Sequence, residues 1–333
     1  MAKSDTPHIA LVGASSLLGK EIKDRLAAAG YPSEAVSLLD LGELAGVITE
    51  YGEEARVLTE AAEEELLRQD LVCFCGDREM VREHMRKLLD ADHVALDCTG
   101  AWLPEPDAVL CLPSVGCIPT LQPGRAIVLP SATTQMLATV LAALGDAFSQ
   151  GLSVTVLVPA SEPGEAGLRE LAQQCIAVLN LEEIPDAVFG RQQAFDIWPD
   201  PGTPSDPDTG AAEAEYLRRL GIPVPAIALL CAPVFHSLSA TLHLPGHDVD
   251  AVLQSLALGG LPIEGDGEKN KARIDSPVRV SGASGVRIGR AWADGLGGTW
   301  LWVLMDNLLA RAEAATSTIQ ALLPPPPASG NSA

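Results

Sequence analysis

His8-Ile-Ala-Leu-Val12-Gly13-Ala-Ser-Ser-Leu-Leu-Gly19 is the stretch whose reading decides the fold. His8 to Val12 is apolar without alternation, the pattern of a strand covered on both faces. Gly13 to Gly19 makes a turn. Leu18, Ile22, Leu26 and Ala29 then recur at helical spacing, and Gly30 is placed to stop the helix. A buried strand, a glycine turn and an amphipathic helix form the first half of a βαβ unit.

The rhythm continues outward from this unit. Strands are expected at Val36 to Leu39, Leu71 to Phe74, Val94 to Asp97, Val109 to Cys111 and Ala126 to Leu129. Helices are expected at Glu60 to Gln69 and Glu79 to Leu89, with a small hairpin around Gly46 to Tyr51. Alternation of this kind predicts a Rossmann-like, doubly wound α/β domain over residues 1–131. After Gln150 the pattern changes. Helices are expected at Pro163 to Leu179, Ala211 to Leu220, Asp248 to Leu258 and Met305 to Leu323. Strands are expected at Leu152 to Val158, Ala226 to Cys231, Ser237 to Leu244, Val278 to Val280, Val286 to Ala291 and Trp300 to Val303. Grouped strands with fewer helices predict an α+β domain over 132–304, with the helix at 305–323 packing back on the first domain. The four prolines between Asp196 and Thr209 read as an irregular loop, and the tail 324–333 as disordered.

Composition narrows the function. The 333 residues suffice for two domains and a large core. There are 44 acidic and 22 basic side chains, a net charge of −22. That field disfavours nucleic acid and anionic membranes, and an anionic substrate would need local arginines. No apolar run approaches the ~18 residues of a membrane helix, and no leader is evident, so a cytoplasmic protein with reduced thiols is expected. Cys73-Phe-Cys75 lacks the spacing and the second pair of a zinc site. The acidic run at Glu60, Glu63, Glu64 and Glu65 reads as a solvated helix face.

A second joint lies in Ile127-Val-Leu-Pro-Ser-Ala-Thr-Thr134. It reads as a strand, a sharp turn at Pro130-Ser131 and a helix from about Thr133. Such a joint aims N–H groups at one point and favours an anion or a nucleophile there. The residue at that point is Ala132, which carries no reactive atom.

Four landmarks, in order, resemble the aspartate-semialdehyde dehydrogenase family over residues 7 to 323. Val12-Gly-Ala-Ser-Ser-Leu-Leu-Gly19 is similar to its Gly-Ala-Thr-Gly-x-x-Gly loop. Val128-Leu-Pro-Ser-Ala-Thr-Thr134 resembles its Asn-Pro-Asn-Cys-Ser/Thr-Thr nucleophile loop. Ala232-Pro-Val-Phe235 resembles the segment before its histidine, and Trp302-Val-Leu-Met-Asp-Asn-Leu308 the start of its last helix. The resemblance implies the fold of that family, with an α+β dimerisation domain and a homodimer through residues 132–304. It also implies an NADP-linked reductive dephosphorylation through a cysteine thioester, with a histidine handling protons.

Carried over residue by residue, the resemblance breaks at the chemistry. The nucleophile position is Ala132, the catalytic-histidine position Leu238, and the position of the carboxylate-binding arginine Cys231. The glutamine of the family's Gln-Ala-x-Ser-Gly motif is Val158, and its phosphate-side arginine is Leu103. His236 lies two residues from Leu238 and, in a strand, would share its face at roughly 7 Å; it is either a displaced replacement or a structural histidine. Cys98, Cys111 and Cys117 lie in loops on the same side, but none has a Lys or Arg within four residues to lower its pKa. The pattern resembles a paralogue without catalytic cysteine and histidine, like the Usg-type homologues.

The candidate dinucleotide contacts are Gly13, Ser15, Ser16, Leu17, Leu18, Gly19 and Glu43. Ser16 stands where the middle glycine would let backbone approach a pyrophosphate, so the turn is open to two readings, nucleotide loop or structural turn. Glu43 stands where the family's arginine holds the 2′-phosphate, so a bound dinucleotide would be NAD and not NADP; an exposed loop carboxylate is the other reading. Three functions follow. One is a catalytically degenerate homodimer that acts by binding. The second is an active NAD(P)-dependent oxidoreductase of altered chemistry, related to amino-acid biosynthesis. The third is a structural dimer with no ligand.

Overall fold

β1 (Ile9–Val12) is an interior strand of a parallel sheet and is fully buried along its length. The structure is a computed structural model that describes residues 6–117, 120, 122–148, 150–200, 209–261 and 276–326. The chain divides into two compact units, with boundaries between Ser131 and Ala132 and between Ala310 and Arg311.

In the first unit β1 leads into α1 (Leu17–Ala28), and Gly30 takes a φ of +89°, the conformation glycine adopts most cheaply after a helix. Then come β2 (Val36–Asp40), the hairpin β3 (Ile48–Tyr51) and β4 (Glu54–Val57), and the two-residue β5 (Thr59–Glu60). After α2 (Glu63–Leu66) follow β6 (Leu71–Phe74), α3 (Arg78–Asp90), β7 (Ala95–Asp97), β8 (Ala108–Leu110) and β9 (Ala126–Val128). The seven-stranded sheet has the order β5-β2-β1-β6-β7-β9-β8, and its registered pairs are all parallel. The order reverses between β1 and β6, which makes the carboxyl ends of those strands the crevice where doubly wound sheets bind ligands. Each fully buried Leu or Ile of this sheet contributes about 1.5–3 kcal/mol relative to exposure.

The second unit opens with α4 (Ala132–Leu144). It continues through β10 (Ser153–Val158), α5 (Glu165–Asn180), β11 (Trp198–Pro199), α6 (Thr209–Arg219), β12 (Ala226–Cys231) and β13 (Leu238–Leu244). α7 (Val249–Leu258), α8 (Pro277–Val280), β14 (Val286–Ala293), β15 (Thr299–Met305) and α9 (Asn307–Leu322) complete it, α9 continuing into the first unit. Its mixed six-stranded sheet has the order β11-β12-β10-β13-β15-β14. Both units therefore match the expected α/β and α+β patterns.

Several local expectations are corrected. The helix expected over Glu60 to Gln69 is a single turn, because Gln69 N bonds Leu66 O and Asp70 N bonds His8 O, which pulls the chain toward β6. The strand expected at Val278 to Val280 is the helical turn α8. Pro277 occupies its first turn, where a missing N–H costs nothing, and the N–H groups of Arg279 and Val280 both reach Ser276 O. The hairpin expected around Gly46 to Tyr51 is present, and it extends through a turn at Gly52 to Val57. Within the proline-rich loop, Trp198 and Pro199 pair with Cys231 and Leu230 as a short edge strand. Residues 201–208 and 327–333, on which the remaining loop and tail expectations fall, lie outside the described residues. Met305 belongs to β15, and α9 starts at Asn307 because the Asp306 carboxylate accepts from the N–H groups of Leu308 and Leu309 at 3.1 and 3.0 Å.

Candidate functional site

At the carboxyl end of β1, Gly13 adopts φ +88° and lies against Gly76, which follows β6. A Cβ on Gly76 would sit 2.7 Å from the Gly13 Cα, and one on Gly13 would fall on Gly76 backbone. Gly19 is equally fixed, since a Cβ there would meet the Gly13 carbonyl. The two glycines of the turn are therefore required by backbone packing.

Ser16 has a different role from that of the absent middle glycine. Its Oγ accepts from Gly19 N at 2.9 Å, capping α1, and donates to Cys75 O at 2.8 Å. The hydroxyl thus joins the two turns that line the crevice and has no proton left for a ligand. Ser15 N donates to Asp40 Oδ2 at 2.8 Å. Gly13 N and Ala14 N bond Leu39 O, and Ser16 N bonds Gly13 O. The N–H groups of Leu17 and Leu18, in the first turn of α1, remain for an anion. Glu43 sits exposed on a short helical turn, Gly42–Leu44. Asp40, at the end of β2, is only 5% exposed and also accepts from Leu41 N at 3.0 Å. Sequence reading passed over Asp40, although an acid at the end of the second strand is the usual signal for ribose contact.

At the end of β7 the buried Asp97 organises the next loop. Oδ1 accepts from Thr99 N and Thr99 Oγ1, both at 2.7 Å, and Oδ2 from Trp102 N at 2.9 Å. Leu103 closes this loop, 9% exposed, with no charge. Arg311 Nη2 donates to Cys98 O at 2.8 Å. The alternative thiols are embedded. Cys98 Sγ lies 3.7 Å from Cys73 Sγ. Cys111 donates to Cys117 O at 2.6 Å, and burial, then the neighbouring Cys117, pushes its thiol well up. The Cys98 and Cys111 thiols are both buried, whereas a reactive cysteine is partly exposed.

In the second unit the register gathers three of the singled-out positions. Val158 is the Cα partner of Cys231, and Trp198 pairs with Cys231 on its other side. Leu157 pairs with Ser239, so Val158 and Leu238 come next along those two strands, and Leu238 pairs with Met305. Paired residues share a face, so Trp198, Cys231, Val158, Leu238 and Met305 form one transverse row at the end of the sheet. The row contains no base and no cation. Burial, then Asp200, pushes the Cys231 thiol up to about 12, while Arg191 acts the other way from its position 4.5 Å over the Trp198 ring.

His236 lies outside the strand that carries Leu238. β13 begins at Leu238, and Ser237 takes φ +73°, so the strand argument for His236 does not apply. Ala132, 1% exposed, is the first residue of α4. Two residues on, Thr134 Oγ1 donates to the buried Glu213 carboxylate of α6. The anion site expected at this helix start already faces a carboxylate of the protein, which works against a further anion. Glu213 was missed in the sequence because an acid on an amphipathic helix, here beside Glu215, has no distinctive pattern.

A hydrogen-bonded frame centred on Asn307 surrounds this end of the second unit. Asn307 Nδ2 donates to Ser161 Oγ at 3.0 Å and Glu162 Oε1 at 2.8 Å, and Asn307 Oδ1 accepts from Ser237 N at 3.1 Å. Ala160 N and Ser161 N bond Val234 O and Phe235 O. Among the described residues no group of three metal-ligating side chains occurs, and no helix is long and apolar enough to cross a membrane.

A parallel sheet with a glycine-pinned turn at its switch point defines a dinucleotide-binding domain followed by a mixed-sheet unit. Residues 8–117 match the family described as "Semialdehyde dehydrogenase, NAD binding domain". The chain is 27% identical over 322 residues to the "USG-1 protein homolog" of Pseudomonas aeruginosa, covering 90% of this chain and 93% of that protein. It is 24% identical over 335 residues to the "Aspartate-semialdehyde dehydrogenase" of Campylobacter jejuni, covering 95% and 96%. A solved structure of a probable aspartate-semialdehyde dehydrogenase from Pseudomonas aeruginosa shares the fold with a TM-score of 0.79 at 22% identity, over 94% of this chain and 97% of that one. The chain is thus similar to aspartate-semialdehyde dehydrogenases and to USG-1 protein homologs along nearly its whole length, and its residues 8–117 match the semialdehyde dehydrogenase NAD-binding domain.

Proposed function

We propose that this chain is a catalytically degenerate homologue of aspartate-semialdehyde dehydrogenase, a cytoplasmic homodimer that binds NAD and acts by binding and not by turnover. The observation that carries the reading is the apolar row Trp198–Cys231–Val158–Leu238–Met305 beside the hydrogen-bonded Asn307 frame. A thioester route needs a thiolate, a base and a cation for the substrate acid. Ala132, Leu238 and Cys231 supply none of these.

Dinucleotide binding is supported by the free N–H groups of Leu17 and Leu18 at the switch point. Dimerisation is supported by the sheet face carrying Trp292, Trp300 and Trp302, with Ala226 and Ala228 exposed on β12. The net charge of −22 disfavours nucleic acid and anionic membranes as partners.

The test is an assay for NAD or NADP reduction with aspartate semialdehyde and phosphate, run beside thermal melts and light scattering. Expected are no turnover, a midpoint raised by NAD, and a mass twice that of the 34.8 kDa chain. Turnover would sink the degenerate reading. It would favour the second one, an oxidoreductase of altered chemistry, for which the Asn307–Glu162 contact and the buried Glu213 speak. Melts unmoved by millimolar NAD would leave a structural dimer.

A further inference from the structure

We infer that the row Trp198–Cys231–Val158–Leu238–Met305 is a binding site for a small neutral aliphatic amide, held by a donor and an acceptor that the protein leaves unpaired. The inference rests on the reading that this row no longer serves turnover, and it names what the row takes up instead.

Three side-chain atoms at the row have no hydrogen-bond partner among the described residues: Trp198 Nε1, Gln193 Oε1 and Ser237 Oγ. Trp198 is 9% exposed, and Gln193 and Ser237 are 1% exposed. Burying a polar group unpaired is costly, and folded proteins leave few of them. Three at one row call for a bound molecule that pairs them. The strands make the three neighbours. Trp198 stands in the row, opposite Cys231. Gln193 Nε2 donates to Ala232 O at 2.7 Å, and Ala232 N bonds Val158 O, which sets the carboxamide beside the Cys231–Val158 pair. Ser237 precedes Leu238, and its N–H donates to Asn307 Oδ1 at 3.1 Å.

The unpaired atoms prescribe the ligand. An indole N–H can only donate and a carboxamide oxygen can only accept. The molecule must therefore offer an acceptor to Trp198 and a hydrogen to Gln193, and the Ser237 hydroxyl serves either role. An amide group carries both. Its aliphatic body meets Val158, Leu238 and the adaptable Met305. A carboxylate has no hydrogen for Gln193. Asp200 and Arg191 act on the Cys231 thiol in opposite senses, so neither sign of charge is favoured there. Both anchors are held in place: Gln193 N donates to Gln174 Oε1 at 2.6 Å, and the Arg191 guanidinium lies 4.5 Å from the centre of the Trp198 ring. Cys231 and Val158 are only half-buried, which leaves that pair as the approach.

The test is titration of the isotope-labelled full chain, without dinucleotide, followed by NMR of its indole N–H resonances. The probes are isovaleramide, methyl isobutyl ketone and isovalerate, and the Trp198 resonance is assigned by its loss in Trp198→Phe. Isovaleramide is expected to move that resonance saturably and to leave the other indoles in place. The ketone keeps the acceptor and lacks the hydrogen, so it should bind about fivefold more weakly, and isovalerate about tenfold or more. Trp198→Phe keeps a ring under Arg191 and should weaken the amide about fivefold, read by calorimetry. The probe series needs no variant, so it stands even if Trp198→Phe is unstable. No saturable shift with any probe means that water pairs these atoms, and overturns the inference. So does isovalerate or the ketone binding as tightly as the amide. Turnover of aspartate semialdehyde, assayed separately, would overturn the degenerate reading and this inference with it. Absence of both turnover and amide binding overturns this inference alone.

Discussion

Val158 and Cys231 are Cα partners on neighbouring parallel strands, and Leu238 takes the next place across the sheet. Three positions that the resemblance assigns to a glutamine, an arginine and a histidine thus share one row and one face. Val158 and Leu238 are apolar, and burial pushes the Cys231 thiol up, so the row supplies no base and no cation. Ala132→Cys alone is accordingly expected to give no turnover with aspartate semialdehyde. Loss of a general base costs about 10²–10⁴-fold on its own, and the row offers no substitute. Turnover clearly above background in a coupled NAD(P)H assay would show that a base outside this row serves the reaction.

Ser16→Ala should cost about 1–2 kcal/mol, because one hydroxyl both caps α1 and bonds Cys75 O. Ser16→Gly keeps more of the cap site's conformational fitness and removes the Cβ from the crevice. It should bind dinucleotide more tightly than the alanine variant at similar stability. Urea midpoints and NAD titration of the two variants check both statements.

The parallel sheet was legible in the sequence because buried strands with no alternation, separated by amphipathic helices, fit few architectures besides a doubly wound one. The direction of a hydroxyl was not. Ser16 read equally well as a ligand contact or a turn residue, and only its bond to Cys75, 59 positions away, decides. Asp40 and Glu43 are three residues apart, and only burial separates them. The row at Val158, Cys231 and Leu238 depends on strand register, which local pattern does not specify across a mixed sheet. Single-turn α2 and α8 were misread because tertiary hydrogen bonds at Asp70 and a proline at 277 overrode helix and strand propensity.

Gly13→Ala is expected to be among the most damaging substitutions in the first unit. The new methyl would meet Gly76 backbone at a φ of +88°, so steric overlap and left-handed strain add. The cost should reach about 2–4 kcal/mol. Gly30→Ala, also at positive φ but with nothing within 4 Å, isolates the strain and should cost only about 1 kcal/mol. Equal urea midpoints for the two variants would contradict the close approach of β1 and β6.

Asn307→Ala removes the partner of Ser237 N, Ser161 Oγ and Glu162 Oε1 at once, two of them on buried residues. Leaving buried polar groups unpaired costs about 1–3 kcal/mol each. A loss of about 2–4 kcal/mol in the second unit is expected, read by circular dichroism in urea. Asn307→Asp keeps the acceptor for Ser237 N but sets a carboxylate against Glu162. It should be no better than alanine at neutral pH and should recover as the pH falls.

Asp294 offers a pH test of the second sheet. His243 Nε2 at 2.8 Å, then the N–H groups of Leu296 and Gly298 at 2.6 and 2.8 Å, hold its carboxyl down at about 2, from an ordinary 3.8. A carboxyl whose folded pKa lies below its unfolded value stabilises the fold above the unfolded pKa, and the contribution disappears as pH falls through the folded one. The stability gap between the unaltered chain and Asp294→Asn should therefore be constant from pH 7 to about 5. It should narrow between roughly 4 and 2. His243→Gln should move the Asp294 midpoint upward toward the ordinary carboxyl range, since the histidine is the largest of the three causes. Carboxyl chemical shifts followed by NMR across that range read the midpoint directly. A midpoint unchanged in His243→Gln would mean that the turn's N–H groups, and not the His243 ring stacked on Trp300 at 4.4 Å, hold the charge.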